Sequence, residues 1–260
     1  MTSILEIKRT CLAGMSQDEI KAYLDDNNFE WKDWYFKPVY TPSRIVERYT
    51  FWKEKLEYVT DISPRSVIGH HHGSISSELN WITLLSCLKR HVNDTDPVSV
   101  LKMLKEQKNL PDNSDGLIHL EKYGELFFFS AGRHRIVQAK FLEVETIHCR
   151  VTEYVFDKEA YDLYSRVQAK TRIIENENWR LGLPIKAQLE EVTYEIPLTE
   201  YYVAFFEKAF KEAKILSKRP LARWLFTIKN KMVENACTYY NLENLQSSET
   251  LVRAILLSMK

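Results

Sequence analysis

Several kinds of signal are missing from this chain, and each absence closes off a class of protein. Net charge is missing: 36 Lys and Arg offset 36 Asp and Glu over 260 residues. No global field draws the protein to nucleic acid or to a membrane, so any such binding needs a local patch. Paired cysteines are missing too. Cys11, Cys87, Cys149 and Cys237 are scattered with no CxxC pair, which argues against a zinc knuckle or a disulfide framework and for free thiols in a reducing compartment. No stretch reaches the roughly 18 to 20 uninterrupted apolar residues of a membrane helix. The first residues lack a charged-then-apolar signal segment, so the expectation is a soluble, cytoplasmic protein. There is no internal repeat or low-complexity tract. What is present is core material: 45% of the residues are apolar, enough for one large domain or a compact core with helical additions. His70-His71-His72 lies inside the chain and reads as a native loop, with metal binding as its alternative.

Ser16 followed by Glu19 is a capping box and predicts a helix from Gln17 to Asp26. Thr41-Pro42 predicts a second helix, carrying Ile45, Val46, Tyr49, Trp52, Leu56 and Val59 at helical spacing. Between them Trp31, Trp34, Tyr35 and Phe36 suit either stacking on bases or core packing, and core packing is the favoured reading. A short strand over Arg65–Gly69 precedes a polar loop. Leu79, Ile82, Leu85, Leu88 and Val92 then mark an amphipathic helix, and Asp96-Pro97 caps another that ends near Lys108. After the turn-rich run 111–116, Leu117–Tyr123 and Glu125–Ser130 read as strands joined at Gly124, followed by a helix and by a strand over Thr146–Phe156. A helix is expected over Asp157–Arg172, little beyond a loop or short strand over Asn176–Pro197, and helices over Glu200–Leu216, Pro220–Tyr240 and after Ser248.

The chemistry concentrates where the second of these strands becomes a helix, at Ser130-Ala131-Gly132-Arg133-His134-Arg135. Three cationic or potentially cationic side chains occupy a first helical turn. The helix dipole disfavours each charge there by roughly 0.3–1 kcal/mol, and ordinary design would place Asp or Glu instead. An anion relieves the misfit, because uncapped amides, the dipole, a glycine that permits close approach and arginine forks all suit a phosphate. The alternative is that Arg133 or Arg135 pairs with an acidic residue and does nothing more.

The run Gly124-Glu-Leu-Phe-Phe-Phe-Ser-Ala-Gly-Arg-His-Arg-Ile-Val-Gln-Ala-Lys-Phe-Leu, with the strand after it, resembles the signature of ParB-type N-terminal domains and their sulfiredoxin relatives, nearest in its Gly-x-His-Arg form. The resemblance covers about 90 residues and is sharp from Leu117 onward. It implies an α+β fold with a small mixed sheet of ParB/sulfiredoxin-like type in 64–156, preceded by an N-terminal helical segment, 1–63, and followed by a helical region, 157–260. It also implies that Gly132, His134 and Arg135 contact phosphate on a nucleotide or a nucleic-acid backbone. CTP-hydrolysing ParB proteins carry Glu where this chain has Arg133, and sulfiredoxins carry their reactive Cys there, so neither activity is implied by that position. Cys149 offers no substitute, because it reads as a buried small hydrophobe in a strand.

An enzyme would add a carboxylate near the phosphate as base or metal ligand. Glu78, Asp115 and Glu153 are candidates without diagnostic spacing. A second surface is basic: Lys208, Lys211, Lys214, Lys218, Arg219, Arg223, Lys229 and Lys231 have Glu212 as the only acid among them, which suits a phosphate backbone or a solvated helix face equally. No helix-turn-helix motif accompanies it. The leading reading is a ParB-like protein of DNA transactions, in a plasmid, phage or regulatory setting. Ser130, Gly132, Arg133, His134 and Arg135 hold its phosphate, Lys218, Arg219, Arg223, Lys229 and Lys231 meet DNA, and a nucleoside triphosphate with Mg2+ is a possible ligand. Alternatives are a metal-dependent nuclease or phosphotransferase using the same turn, and a degenerate core kept as a scaffold for protein contacts or for self-association.

Overall fold

The computed structural model describes residues 3–71, 79–88, 95–175, 183–190, 192–229, 239–245 and 247–259, with the backbone alone for 175, 223, 225 and 227–229. The chain divides into two compact units, Met1–Val155 and Phe156–Lys260, each of mixed helix and strand content. Among the described residues no helix is long and apolar enough to cross a membrane.

In the first unit, α1 (Gln17–Asp26) starts at the expected capping box. Ser16 Oγ accepts from the Glu19 amide at 3.3 Å, and the Glu19 carboxylate accepts from the Ser16 amide at 2.7 Å. Ile20 and Leu24, one helical turn apart, form its buried face. The expected second helix is corrected. It stops after the single turn α2 (Pro42–Ile45), Arg48 takes a left-handed conformation with φ 54°, and β1 (Trp52–Ile62) follows. The spacing from Ile45 to Val59 satisfies a helix on paper. However, Trp52, Tyr58, Val59 and Thr60 are strand-forming types, and hydrogen bonding to a neighbouring strand overrides local periodicity. Lys53, Glu54, Lys55 and Glu57 stay exposed, the charged profile of a sheet edge. The segment 1–63 is therefore not wholly helical; it supplies one strand to the sheet and apolar residues to the core of this unit.

β2 (Val67–His70) comes next, then α3 (Trp81–Ser86), whose Asn80 cap accepts from the Thr83 amide at 2.9 Å. The helix predicted to reach Val92 is this short element, and 89–94 lie outside the described residues. α4 (Pro97–Glu106) is capped by Asp96, as expected. β3 (Ile118–Tyr123), β4 (Leu126–Ala131), α5 (Arg133–Phe141) and β5 (Ile147–Phe156) complete the predicted order of strand, strand, helix, strand. The five strands lie in the order β1-β5-β3-β4-β2, with β3 antiparallel to β4 and parallel to β5, and β4 parallel to β2.

The two faces of this sheet differ. Leu120, Phe129, Cys149 and Val151 join Ile136, Val137, Trp81 and the N-terminal Leu5, Ile7 and Leu12 in the main core. Among the described residues the opposite face carries a smaller cluster around Val46, Tyr123 and Phe128, alongside the polar His119, Glu121 and Arg150.

The second unit corrects the expectation of a purely helical region. α6 (Lys158–Gln168) is capped by Asp157. The chain then forms β6 (Arg172–Glu175), β7 (Ile185–Leu189) and β8 (Val192–Ile196), followed by α7 (Glu200–Ser217), α8 (Pro220–Lys229), β9 (Tyr239–Asn241) and α9 (Ser248–Ser258). The strands form a sheet in the order β6-β7-β8-β9, antiparallel except for β8 with β9. β7 buries Ile185 and Ala187 and β8 buries Tyr194 and Ile196, which is period-2 burial over elements too short to announce it. Tyr239 and Tyr240 are strand residues, not the end of a helix; 230–238 lie outside the described residues.

Candidate functional site

The strand-to-helix turn forms where it was expected. Gly132 is the N-terminal cap of α5 with φ 78° and ψ 24°, and no side chain caps the helix. Glycine is favoured here, because a Cβ would sit 3.0 Å from the Ile118 Cγ1 and 3.1 Å from its Cα, and the left-handed conformation strains any other residue. The first-turn amides, the dipole and the half-buried Arg133, His134 and Arg135 thus converge with no acid in the turn.

The two arginines of this turn have different employment. Arg135 donates Nη1 to the Gly116 carbonyl and Nη2, at 3.5 Å, to that of Leu117. Arg150 on β5 treats the same loop alike, donating to the carbonyls of Asp112 at 2.6 Å and Ser114 at 3.5 Å. The turn-rich run before β3 is therefore a lip pinned by two guanidiniums. Arg133, in contrast, has no hydrogen-bond or ion-pair partner among the described residues.

Next to the turn lies the polar face of the sheet. His119 is paired in register with Ala131 on one side and Arg150 on the other, and Ser130 Oγ reaches the His119 carbonyl at 3.5 Å. The His119 Nε2 is buried with no hydrogen-bond partner among the described residues. Burial first, and then the charge of Arg150, lower its pKa from the usual histidine value, so it is neutral at pH 7. On the other side of β4, the amide of His71 donates to the Phe129 carbonyl at 3.0 Å. The His71 Nδ1 forms a short contact with the Glu121 carboxylate, which also accepts from the Tyr123 hydroxyl at 3.0 Å, and the His71 Nε2 lies 3.3 Å from the Tyr49 hydroxyl. A buried carboxylate orienting a half-exposed imidazole is the arrangement of a general base with its orienting partner.

Glu121 is thus the carboxylate that sequence reasoning did not find. Its signal was an acid on a strand of high β character, sharing a face with His119 and Tyr123, and nothing local revealed that β3 is the central strand. Of the residues that were proposed, Glu153 is held by Lys122 at 3.4 Å and Lys55 at 3.6 Å, in register with Lys122 rather than at the turn. Asp115 is exposed on the pinned lip, its charge acting on His119. Glu78 lies outside the described residues. Cys149 is buried, and burial, then the charge of Asp61, push its thiol up to about 12, so it is no nucleophile. Tyr35 is buried and its ring lies 4.6 Å from that of Phe141, a core contact, whereas Trp34, 4.9 Å from the same ring, stays half-buried with part of its surface accessible.

In the second unit Lys208, Lys211 and Lys214 on α7 and Lys218 and Arg219 just after it are exposed, while α7 buries Val203, Phe206 and Ala209. Leu221 and Trp224, 71% and 60% exposed, follow them on α8. The side chains of Arg223 and Lys229, and all of Lys231, lie outside the described residues. Among the described residues no group of three His, Cys, Asp or Glu is arranged to hold a metal ion. No protein-family model, no curated protein and no solved structure matches this chain.

Proposed function

We propose that the first unit is a ParB-like nucleotide- or nucleic-acid-binding module acting in DNA transactions of a plasmid, phage or regulatory kind, with phosphate held at the turn 130–135. The observation that carries this reading is Arg133: a guanidinium without a partner among the described residues, in the uncapped first turn of a helix, behind a glycine that cannot be replaced without strain. The connection from β3 through β4 and α5 to β5 supports it, as does the polar sheet face beneath the turn. Arg135 and Arg150 shape the site by fixing its lip, and the exposed cations and Trp224 of the second unit suit the strand that a DNA-binding protein must also meet. Mg2+ accompanying a nucleotide is held mainly by phosphate oxygens and water, which does not require a cluster of carboxylates.

Thermal unfolding against ribonucleotides and short single- and double-stranded DNA, with and without Mg2+, tests the reading, since a ligand at about 100 times its Kd stabilises by about 2.7 kcal/mol. Arg133→Glu is expected to abolish that stabilisation while leaving the free protein within about 0.5 kcal/mol of its stability. Arg135→Ala is expected to destabilise the free protein by about 1–3 kcal/mol, because it strips carbonyls of a charged donor. A flat panel would sink the assignment and, with a stable oligomer, favour the scaffold. The pairing of Glu121 with His71 favours a second reading, an enzyme of nuclease or phosphotransferase type with His71 as proton acceptor. Mg2+-dependent cleavage of a nucleic acid, or transfer of a phosphoryl group from a nucleotide to an acceptor, that is lost in Glu121→Gln is its signature.

A further inference from the structure

The opposite end of α5 bears a different feature. Lys140 lies in the last turn, about 10 Å along the helix axis from Arg133, and next to it opens a cavity of about 430 Å3 whose walls include the start of β2. Because β2 runs parallel to β4, this cavity is at the strand end remote from the turn. Its floor is aromatic and cationic. The Lys140 Nζ stands 4.5 Å from the ring centre of Trp81 and 5.6 Å from that of Trp34, and it donates to the carbonyls of Pro64, Arg65 and Val67 at 3.1, 3.2 and 2.8 Å. All three of its hydrogens are thus spent, so Lys140 gives the cavity charge and no further hydrogen bond.

The rim adds Lys32, Lys37, Arg65, Tyr40 and one acid, Glu143. That carboxylate is shared, lying 2.6 Å from Lys32 and 3.7 Å from Arg65. The Lys37 ammonium has no hydrogen bond or ion pair among the described residues. Four cations therefore surround one carboxylate over an aromatic floor. The crowding registers on Lys140: burial first, then the charges of Arg65 and Lys37, lower its pKa to about 8. An anion resting between Lys37 and Arg65 relieves that crowding, and the half-buried ring of Trp34 with the rim ring of Tyr40 offers stacking surface to whatever carries the anion.

We propose that this cavity is a second ligand site, for an anion borne on a planar aromatic ring, of the size and chemistry of a mononucleotide. The volume falls within the range of about 300–1,000 Å3 usual for small-molecule sites. The ring lies over Trp34, and the anionic group reaches Lys37 and Arg65. The ligand is either a free nucleotide or the phosphorylated end of a single strand, which share this chemistry.

Titration of the whole chain with AMP, followed by tryptophan fluorescence at low salt, tests the proposal. Adenosine, inorganic phosphate and a 5′-phosphorylated oligothymidylate serve as comparison probes. Saturable quenching by AMP is expected, with adenosine and phosphate each weaker by about tenfold or more because each keeps half of the contacts. The quench should be lost in Trp34→Phe. The double variant Lys37→Glu/Arg65→Glu alters exposed side chains, so its fold is retained by circular dichroism, and it should lose affinity by about tenfold or more. Tighter binding of the oligonucleotide than of AMP assigns the site to a strand end; tighter binding of AMP assigns it to the free nucleotide. Absence of saturable binding of both up to about 1 mM overturns the proposal. So does binding that survives intact in the double variant, which would place the nucleotide elsewhere, whatever the fate of the turn 130–135.

Discussion

The two units bury different things. Among the described residues, the buried polar and charged side chains of the second unit are Arg253 and Ser258, whereas the first unit buries Lys8, His70, Glu121, Gln138 and Lys140, among others. Apart from Arg253, the ion cluster of the second unit is part-exposed: Arg166 bridges Glu200 and Glu207, each at 2.6 Å, and Lys170 joins Glu207 at 2.9 Å. Burying a charge costs several kcal/mol unless it is compensated. A unit that repeatedly accepts that cost is a better place to look for a site than one built on a continuous apolar core.

The contrast can be broken by substitution, starting with the largest effect. Phe206 is wholly buried in the core of the second unit, so Phe206→Ala should destabilise by about 3–5 kcal/mol in chemical denaturation. A loss below about 1 kcal/mol would deny that this unit relies on apolar packing. In the first unit the telling variable is pH. The folded state gives up the Lys140 proton near pH 8, against an ordinary value of 10.5. Between those values the unfolded chain binds more protons, so stability rises with pH, by about 3 kcal/mol in all, and this rise is absent below pH 8. Lys140→Met should flatten that part of the wild-type profile, as measured by denaturation at a series of pH values.

Gly132→Ala should cost about 1–3 kcal/mol for its left-handed conformation, with added strain against Ile118, and its melting curve is the check. The smallest effect is expected for Arg166→Ala at the surface of the second unit. It should stay near or below about 1 kcal/mol and shrink further in salt, so a large, salt-insensitive loss would mean that the ion cluster is structural after all.

Legibility in the sequence tracked how local the cause was. The capping box at Ser16 and Glu19, the Asp96 and Asp157 caps and the Gly132 turn each depend on a few neighbouring residues, and each formed where it was read. β1 was misread because Ile45, Val46, Tyr49, Trp52, Leu56 and Val59 keep helical spacing, while the strand they enter is settled by a partner almost a hundred residues away. β6 and β9 went unread, and β7 and β8 were expected as no more than a loop or short strand, because strands of three to five residues, at most two of them buried, do not outweigh the surrounding polarity. At the candidate site, Arg133 and Gly132 were visible as a broken local rule. Glu121, His71 and His119 were not, since their significance comes from register across β2, β4 and β3.

The sequence by itself determined where the chain starts its helices, that it has an apolar core, and that one helix begins with cations where acids belong, because caps, composition and a glycine with positive φ act over a few residues. Only the tertiary structure decided that Arg135 spends its charge on the loop before β3 while Arg133 keeps its own, that Glu121 meets His71, and that Lys140 shares a cavity with Lys37 and Arg65. Those pairings join residues far apart in the chain, and sheet register and helix packing, not any local preference, bring them within reach.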